Sequence, residues 1–218
     1  LGGDSVAASL LPRLGAMLGD AAWQPQHAAL VAVAQVCEQA SDAIEPHLVS
    51  IVAMLQSAGI SAHPRVRWAA CYCLALCADE FDALADEHHA HLVPLLLQGL
   101  ADASARVASV SALAAVNLCA QMPAPLMKDN SPALLTALHA LLAAEATPLY
   151  VVASAASALT LAIDHPGSAN LDSAYAAFAP LLGTRLGAAV AARTGRAVGA
   201  LVEALGALAA AAPARPVA

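Results

Sequence analysis

"HPRVRWAACYCLALCADEF", residues 63–81, decides the fold. Pro64 suits the first turn of a helix, where no backbone N–H is required of it. Behind it Val66, Ala69, Ala70, Cys73, Leu74 and Cys77 fall at i, i+3, i+4, i+7, i+8 and i+11. That spacing is one stripe of an α-helix. Ala and Cys are small, so the stripe suits close approach between helices. The segment ends at Asp79-Glu80 before Phe81, where carboxylates meet the unfavourable end of the helix dipole. No structural reason accounts for that acid pair.

The same face recurs at an interval of 41. One step on are Val107, Val110, Ser111, Ala114, Ala115 and Leu118, then Pro148, Val151, Val152, Ala155, Ala156 and Leu159. One step back are Pro25, Ala28, Ala29, Ala32, Val33 and Val36. A second, Leu-rich set repeats between them: Leu10, Leu11 and Leu14; Ile51, Val52 and Leu55; Leu92, Val93 and Leu96. It slips by one residue at Leu134, Leu135 and Leu138, and weakens around Phe178, Leu181 and Leu182. Each unit is therefore predicted as two helices, separated by turn signals such as Gly19-Asp20, Ala62-His63-Pro64, Ala101-Asp102 and Ala146-Thr147-Pro148.

This period fits paired-helix HEAT or armadillo arrays. The expected fold is all-α: a HEAT-repeat α-solenoid, a right-handed superhelix of antiparallel helix pairs with about five repeats. The second helix of an incomplete repeat occupies 1–19, pairs occupy 20–60, 61–101, 102–145 and 146–186, and a partial repeat and tail occupy 187–218. Neither end carries the polar cap that solenoids need, so a segment of a longer array is expected.

Composition agrees. The chain is 60% hydrophobic but 3% aromatic, with 60 Ala among 218 residues, so its mean hydropathy of +0.69 reflects small side chains. A net charge of −7, with eight Arg and Lys128 the one Lys, argues against direct nucleic-acid binding and points to a basic protein partner. Five Cys, an odd number without framework spacing, read as free thiols in a reducing compartment. No signal peptide is expected at the start. Residues 107–127 and 146–163 carry no charge, but Ser, Asn, Gln, Thr and Pro break both windows, and no basic cluster flanks them. Membrane insertion is therefore not expected.

"HPRVRWAAC" resembles the start of the first helix in HEAT repeats of the importin-β (karyopherin-β) superfamily, the importin-5 branch above all. "LGGDSV" at 1–6, Trp23 with "HAAL" at 27–30, "ADEF" at 78–81, Asp102 with Arg106-Val107, "AVNL" at 115–118, Pro123 and "RTGRAVGALVEALG" at 193–206 extend the likeness in order. Two departures stand out: Met127 to Pro148 is short, and many positions charged in the family are Ala here. The resemblance implies a nuclear transport receptor that shuttles between cytoplasm and nucleus. Such a receptor binds basic cargo, nucleoporin Phe-Gly repeats and Ran-GTP. It also implies a ladder in which the Arg after the helix Val bonds an Asp of an inter-repeat loop. Arg67 holds that position, Asp20 and Asp102 hold the flanking loops, and Arg106 is assigned with them.

Two surfaces are singled out. Asp4, Glu45 and Asp86 recur at 41, with Glu87 beside them, each in the opening turn of a second helix. The dipole alone favours carboxylates there. By the resemblance, the row is also a cargo-facing strip. Trp68 and Tyr72 lie off the stripe, with Leu113 one repeat beyond Tyr72. This ridge reads either as packing between first helices or, by the resemblance, as a pocket for Phe-Gly repeats.

No metal or cofactor is expected. Cys71 and Cys73 point about 200° apart on a helix, so with Cys77 they do not gather around one ion, and the His88, His89 and His91 cluster begins another helix. No phosphate loop, nucleophile elbow or metalloprotease helix is present, so no enzyme is expected. The alternative function is a general HEAT scaffold, phosphatase-scaffold-like or a cytoskeletal adaptor.

Overall fold

The computed structural model describes residues 3–168 and 171–211. Among them the chain is helical, without strands. It divides into two compact units, Leu1–Gln121 and Met122–Ala218. The boundary falls inside the segment 102–145 predicted as one pair.

The first unit holds α1 (Gly3–Leu18), α2 (Trp23–Cys37), α3 (Ser41–Ile44), α4 (Leu48–Gly59), α5 (Pro64–Glu80), α6 (Ala83–Leu100) and α7 (Ala105–Ala120). Helix α5 starts as its sequence dictates: Pro64 is its first residue, and His63 Nδ1 accepts the Arg65 amide at 3.3 Å. It stops where Phe81 turns extended and buries its ring. The whole predicted stripe of α5 is fully covered, and Cys71, Ala75 and Ala78 are buried as well. Burial over so wide a face needs small residues, because α5 packs against α2, α4, α6 and α7 at once. Gly99 serves the same closeness: a Cβ there would collide with Ser111 Oγ and come within 3.1 Å of Cys71 Sγ.

The repeat is 41 from α5 to α7, where Val107, Val110, Ser111, Ala114, Ala115 and Leu118 are all buried. On α2 the prediction is one residue out. The buried set is Ala29, Leu30, Val33, Ala34 and Cys37, while Ala28 is exposed. The step there is 40, and Trp23 accordingly stacks on His63 and Cys37 meets Cys77. Between the second helices α4 and α6 the step remains 41, with Ile51, Val52 and Leu55 matching Leu92, Val93 and Leu96 in the core. The lost residue therefore lies between α2 and α4. There Pro46, lacking an N–H, breaks the helix into α3 and one 3-10 turn at Glu45–His47.

The second unit holds α8 (Ala124–Ala143), α9 (Leu149–Asp164), α10 (Leu171–Ala191) and α11 (Gly195–Ala211). Helices α9 and α11 pack together, and α10 packs against α8 and α11. Ala155, Ala156, Leu159 and Ile163 recur as buried Ala200, Leu201, Ala204 and Leu208, a step of 45. Six residues, 165–170, separate α9 from α10 where two separate α5 from α6, and α10 has 21 residues against 18 in α6.

The uncharged windows noted in the sequence fall largely on α7 and α9, whose apolar residues form the cores of the two units. Within α10, Ser173–Ala191 is long and apolar enough by length and composition to cross a membrane. That stretch contains Pro180 and a buried Arg185. Arg185 donates from Nε to the Leu142 carbonyl at 2.6 Å and from Nη2 to the Ala144 carbonyl, closing the C-terminal end of α8.

Candidate functional site

The loops joining one pair to the next carry the ladder position. Arg67 reaches from the first turn of α5 to Asp102 in the α6–α7 loop, with Nε to Oδ2 at 2.6 Å and Nη2 to Oδ1 at 2.9 Å. Its Nη1 donates to the carbonyls of Ser61 and Ala62 at 2.9 and 3.1 Å. Asp102 Oδ1 also accepts the Ser104 amide at 2.8 Å. Burial on its own would push the Asp102 carboxyl up, but the Arg67 hydrogen bond, the Ser104 amide and the Arg67 charge together hold it below the usual range. The hydrogen bond to Asp102 correspondingly raises Arg67.

Two residues assigned to the ladder sit elsewhere. Asp20 is exposed and turns its carboxylate onto the Ala22 amide at 2.8 Å. Arg106 is exposed on the first turn of α7. One repeat on from Arg67 is Ala108, whereas one repeat on from Arg65 is Arg106. Arg106 thus matches Arg65. Among the described residues the one ion pair is Arg67–Asp102.

Around the first turns of α2 and α5 a chain of rings assembles. Trp23 stacks on His63 at 4.3 Å with 3° between planes, and the Arg65 guanidinium lies 4.9 Å from the Trp23 ring centre. His27 Nδ1 contacts the Arg65 carbonyl at 3.0 Å, and its ring lies 5.9 Å from Trp68. Trp68 stacks on Tyr72 at 5.0 Å and 11°, and both pack against Cys71, Val107 and Val110. Gln35 Nε2 donates to the Tyr72 hydroxyl at 2.9 Å. Tyr72 is thereby pinned between neighbouring first helices, and Leu113 stands 43% exposed on α7. A cavity of about 510 Å³ opens beside Trp68, lined by His27, Pro64, Arg65, Trp68, Ser104 and Arg106. Neither Tyr72 nor Leu113 lines it.

The acidic row lies on the second-helix side. Glu45 begins the 3-10 turn before α4, and Asp86 and Glu87 lie in the opening turns of α6; all three are exposed. No side chain caps the first amides of that turn or of α6. The Asp4 side chain lies outside the described residues. Helices α4 and α6 are neighbours, joined by Gln56 Nε2 and His91 Nδ1 at 3.2 Å.

All five thiols are free and buried. Cys37 and Cys77 bring their sulfurs to 3.1 Å. Among the described residues no three His, Cys, Asp or Glu are arranged to hold a metal ion. Sequence reasoning missed the Arg65–Trp23–His63 stack, although Arg65 stands in the decisive stretch. The 41-residue equivalence of Arg65 and Arg106 was the signal available.

Paired helices repeating along the chain define the fold class, a HEAT-repeat α-solenoid. The HEAT-like repeat family model matches residues 23–76. The resemblance to the importin-β superfamily also holds in the comparisons. The chain is 28% identical over 153 residues to importin subunit beta-3 of Saccharomyces cerevisiae, covering 69% of this chain and 14% of that protein. It superposes on a crystal structure of Kap121p with a TM-score of 0.84 and 24% identity, covering 97% of this chain and 20% of Kap121p. The same coverage, identity and TM-score hold for Kap121p bound to RanGTP. For Kap121p bound to Nup53p the TM-score is 0.83 at 24% identity, with 95% of this chain and 20% of that one covered. The chain thus spans about a fifth or less of the relatives it matches.

Proposed function

We propose that the chain is a segment of a nuclear transport receptor. It binds basic cargo and nucleoporin Phe-Gly repeats, and Ran-GTP regulates it. The reading is carried by the likeness to importin subunit beta-3 over 153 residues, supported by the fold shared with Kap121p. Kap121p has been solved with RanGTP, Nup53p, Pho4p and Ulp1p. The mechanism is recognition by shape and charge, with no catalytic step and no cofactor, in a protein that shuttles between cytoplasm and nucleus. A net charge of −7 favours basic partners, and Asp4, Glu45, Asp86 and Glu87 form the cargo-facing strip. Trp68, Tyr72 and Leu113 offer the apolar ridge for Phe-Gly repeats. Among the described residues Asp20 and Arg106 complete no ion pair, so the ladder is proposed at Arg67 and Asp102.

The test is fluorescence anisotropy of the full-length protein with a Lys/Arg-rich peptide, with and without Ran locked in its GTP form. Binding that Ran reverses supports the receptor. Charge reversal at Glu45 and Asp86 should then weaken it, more at low salt than at high. One solved form of Kap121p carries three such acid-to-lysine changes. Binding indifferent to Ran, or none, leaves the general HEAT scaffold. The sparseness of charged residues on this chain already favours that second reading somewhat.

A further inference from the structure

The cavity beside Trp68 combines features that helix stability does not explain. Arg65 and Arg106 are each the second residue of a first helix, α5 and α7 respectively. A cation in the first turn opposes the helix dipole, so both are placed at an electrostatic cost. Neither has a carboxylate within 4.0 Å among the described residues, where Arg67–Asp102 is the one ion pair. The nearby Asp102, which holds the Ser104 amide, is already spanned by Arg67. Both arginines line the same cavity of about 510 Å³, a volume within the usual range of ligand sites. In a chain of net charge −7 with nine Lys and Arg, this mouth is a cationic island.

Trp68 supplies this cavity with a flat wall that is packed in place. Trp68 is held from behind by Tyr72, Cys71, Val107 and Val110, with His27 and Pro64 beside it. A rigid indole offers stacking or edge contact to another ring. Arg65, whose guanidinium also lies 4.9 Å from the Trp23 ring centre, and Arg106 line the same cavity and offer forked hydrogen bonds to carboxylates. Nucleic acid would satisfy the rings and cations but is repelled by the acidic remainder of the chain.

We propose that this cavity is a binding site for an acidic peptide segment carrying one aromatic side chain, whose ring lies against Trp68 while flanking carboxylates engage Arg65 and Arg106. The site stands on its own geometry and does not rest on the transport reading. It shares Trp68 with the Trp68–Tyr72–Leu113 ridge but differs in its occupant, since an uncharged Phe-Gly segment makes no use of the two arginines.

The test is anisotropy of the full-length protein with three labelled peptides of equal length: acidic residues flanking one Phe, the same with Ala for Phe, and an uncharged Phe-Gly peptide. The acidic Phe peptide should bind tightest and weaken as salt rises. Arg106→Gln, at an exposed residue, should weaken it about fivefold and flatten the salt dependence, with Arg65→Gln acting alike. Circular dichroism should show unchanged helix content in both variants. Equal binding of the Ala peptide would overturn the ring seat. Binding of the uncharged peptide as tight as the acidic one, or indifference to both Arg variants, would overturn the proposal. Failure with the Lys/Arg-rich peptide and Ran bears on the transport reading alone.

Discussion

Arg67 and Asp102, 35 residues apart, face each other through two parallel hydrogen bonds of 2.6 and 2.9 Å. Both side chains are largely covered, at 19% and 7% exposure. The fork ties the α6–α7 loop to α5, and Arg67's remaining donors tie it to the Ser61 and Ala62 carbonyls. One guanidinium thus links the loop before α5 to the loop before α7.

Removing one partner leaves the other desolvated and unpaired. Asp102→Asn is expected to lower stability at neutral pH by about 2 kcal/mol. Asp102 titrates below its unfolded value, so its contribution is present above that value and disappears as pH falls through the folded one. Urea unfolding at about pH 7 and about pH 2 should show a large gap between wild type and variant at the first and little at the second. A gap that persists undiminished in acid would contradict the assignment.

The thiols should be inert in the folded chain. Burial pushes Cys71 up to about 11 and Cys119 up to about 12. The hydrogen bond with Cys77, with burial behind it, carries Cys37 far above the ordinary thiol range. The thiolate is the reactive form, so an aromatic disulfide reagent at mild alkaline pH should label few thiols quickly. In denaturant it should label all five. Rapid labelling without denaturant would mean that the α2–α5 contact opens readily.

Arg185 sits 9% exposed with its donors on the last carbonyls of α8. Arg185→Met keeps the stem but strands those carbonyls, and should lower stability by about 2 kcal/mol. Hydrogen exchange should rise at the end of α8 and along α10, with the first unit unaffected. Protection lost equally in the first unit would refute the local role.

Arg193 takes a φ of 55° just after α10, a left-handed conformation that favours glycine. Arg193→Gly should therefore be neutral or stabilise by up to about 1 kcal/mol despite the greater freedom of glycine when unfolded. Thermal unfolding reads the sign. A clear loss would show that the Arg193 side chain contributes more than its backbone costs.

Much of the fold was legible because helix period and repeat length are both sequence properties. The stripe on α5 and its copies on α7 and α9 need only counting. The α2 stripe lies one residue from the 41-residue register because the helix breaks at the 3-10 turn holding Pro46, and the lost residue shows only in the stacking of Trp23 on His63. The acidic residues were easy to find, yet their spacing fixes only that they are exposed near helix starts. Arg106 enters the ladder only through the resemblance, whereas its cavity partner Arg65 is one repeat away.

Sequence by itself determined that paired helices repeat, which stripes α5 and α7 bury and the sign of the chain's charge. Those follow from side-chain size and periodicity, which act locally along one helix. Tertiary structure decided which Arg meets which Asp and that Arg65, Trp68 and Arg106 share one cavity. It also decided that Arg185 closes a helix 43 residues before it. Those pairings depend on how neighbouring helices are offset, and single-residue changes in loop length set that offset without altering any helix's own pattern.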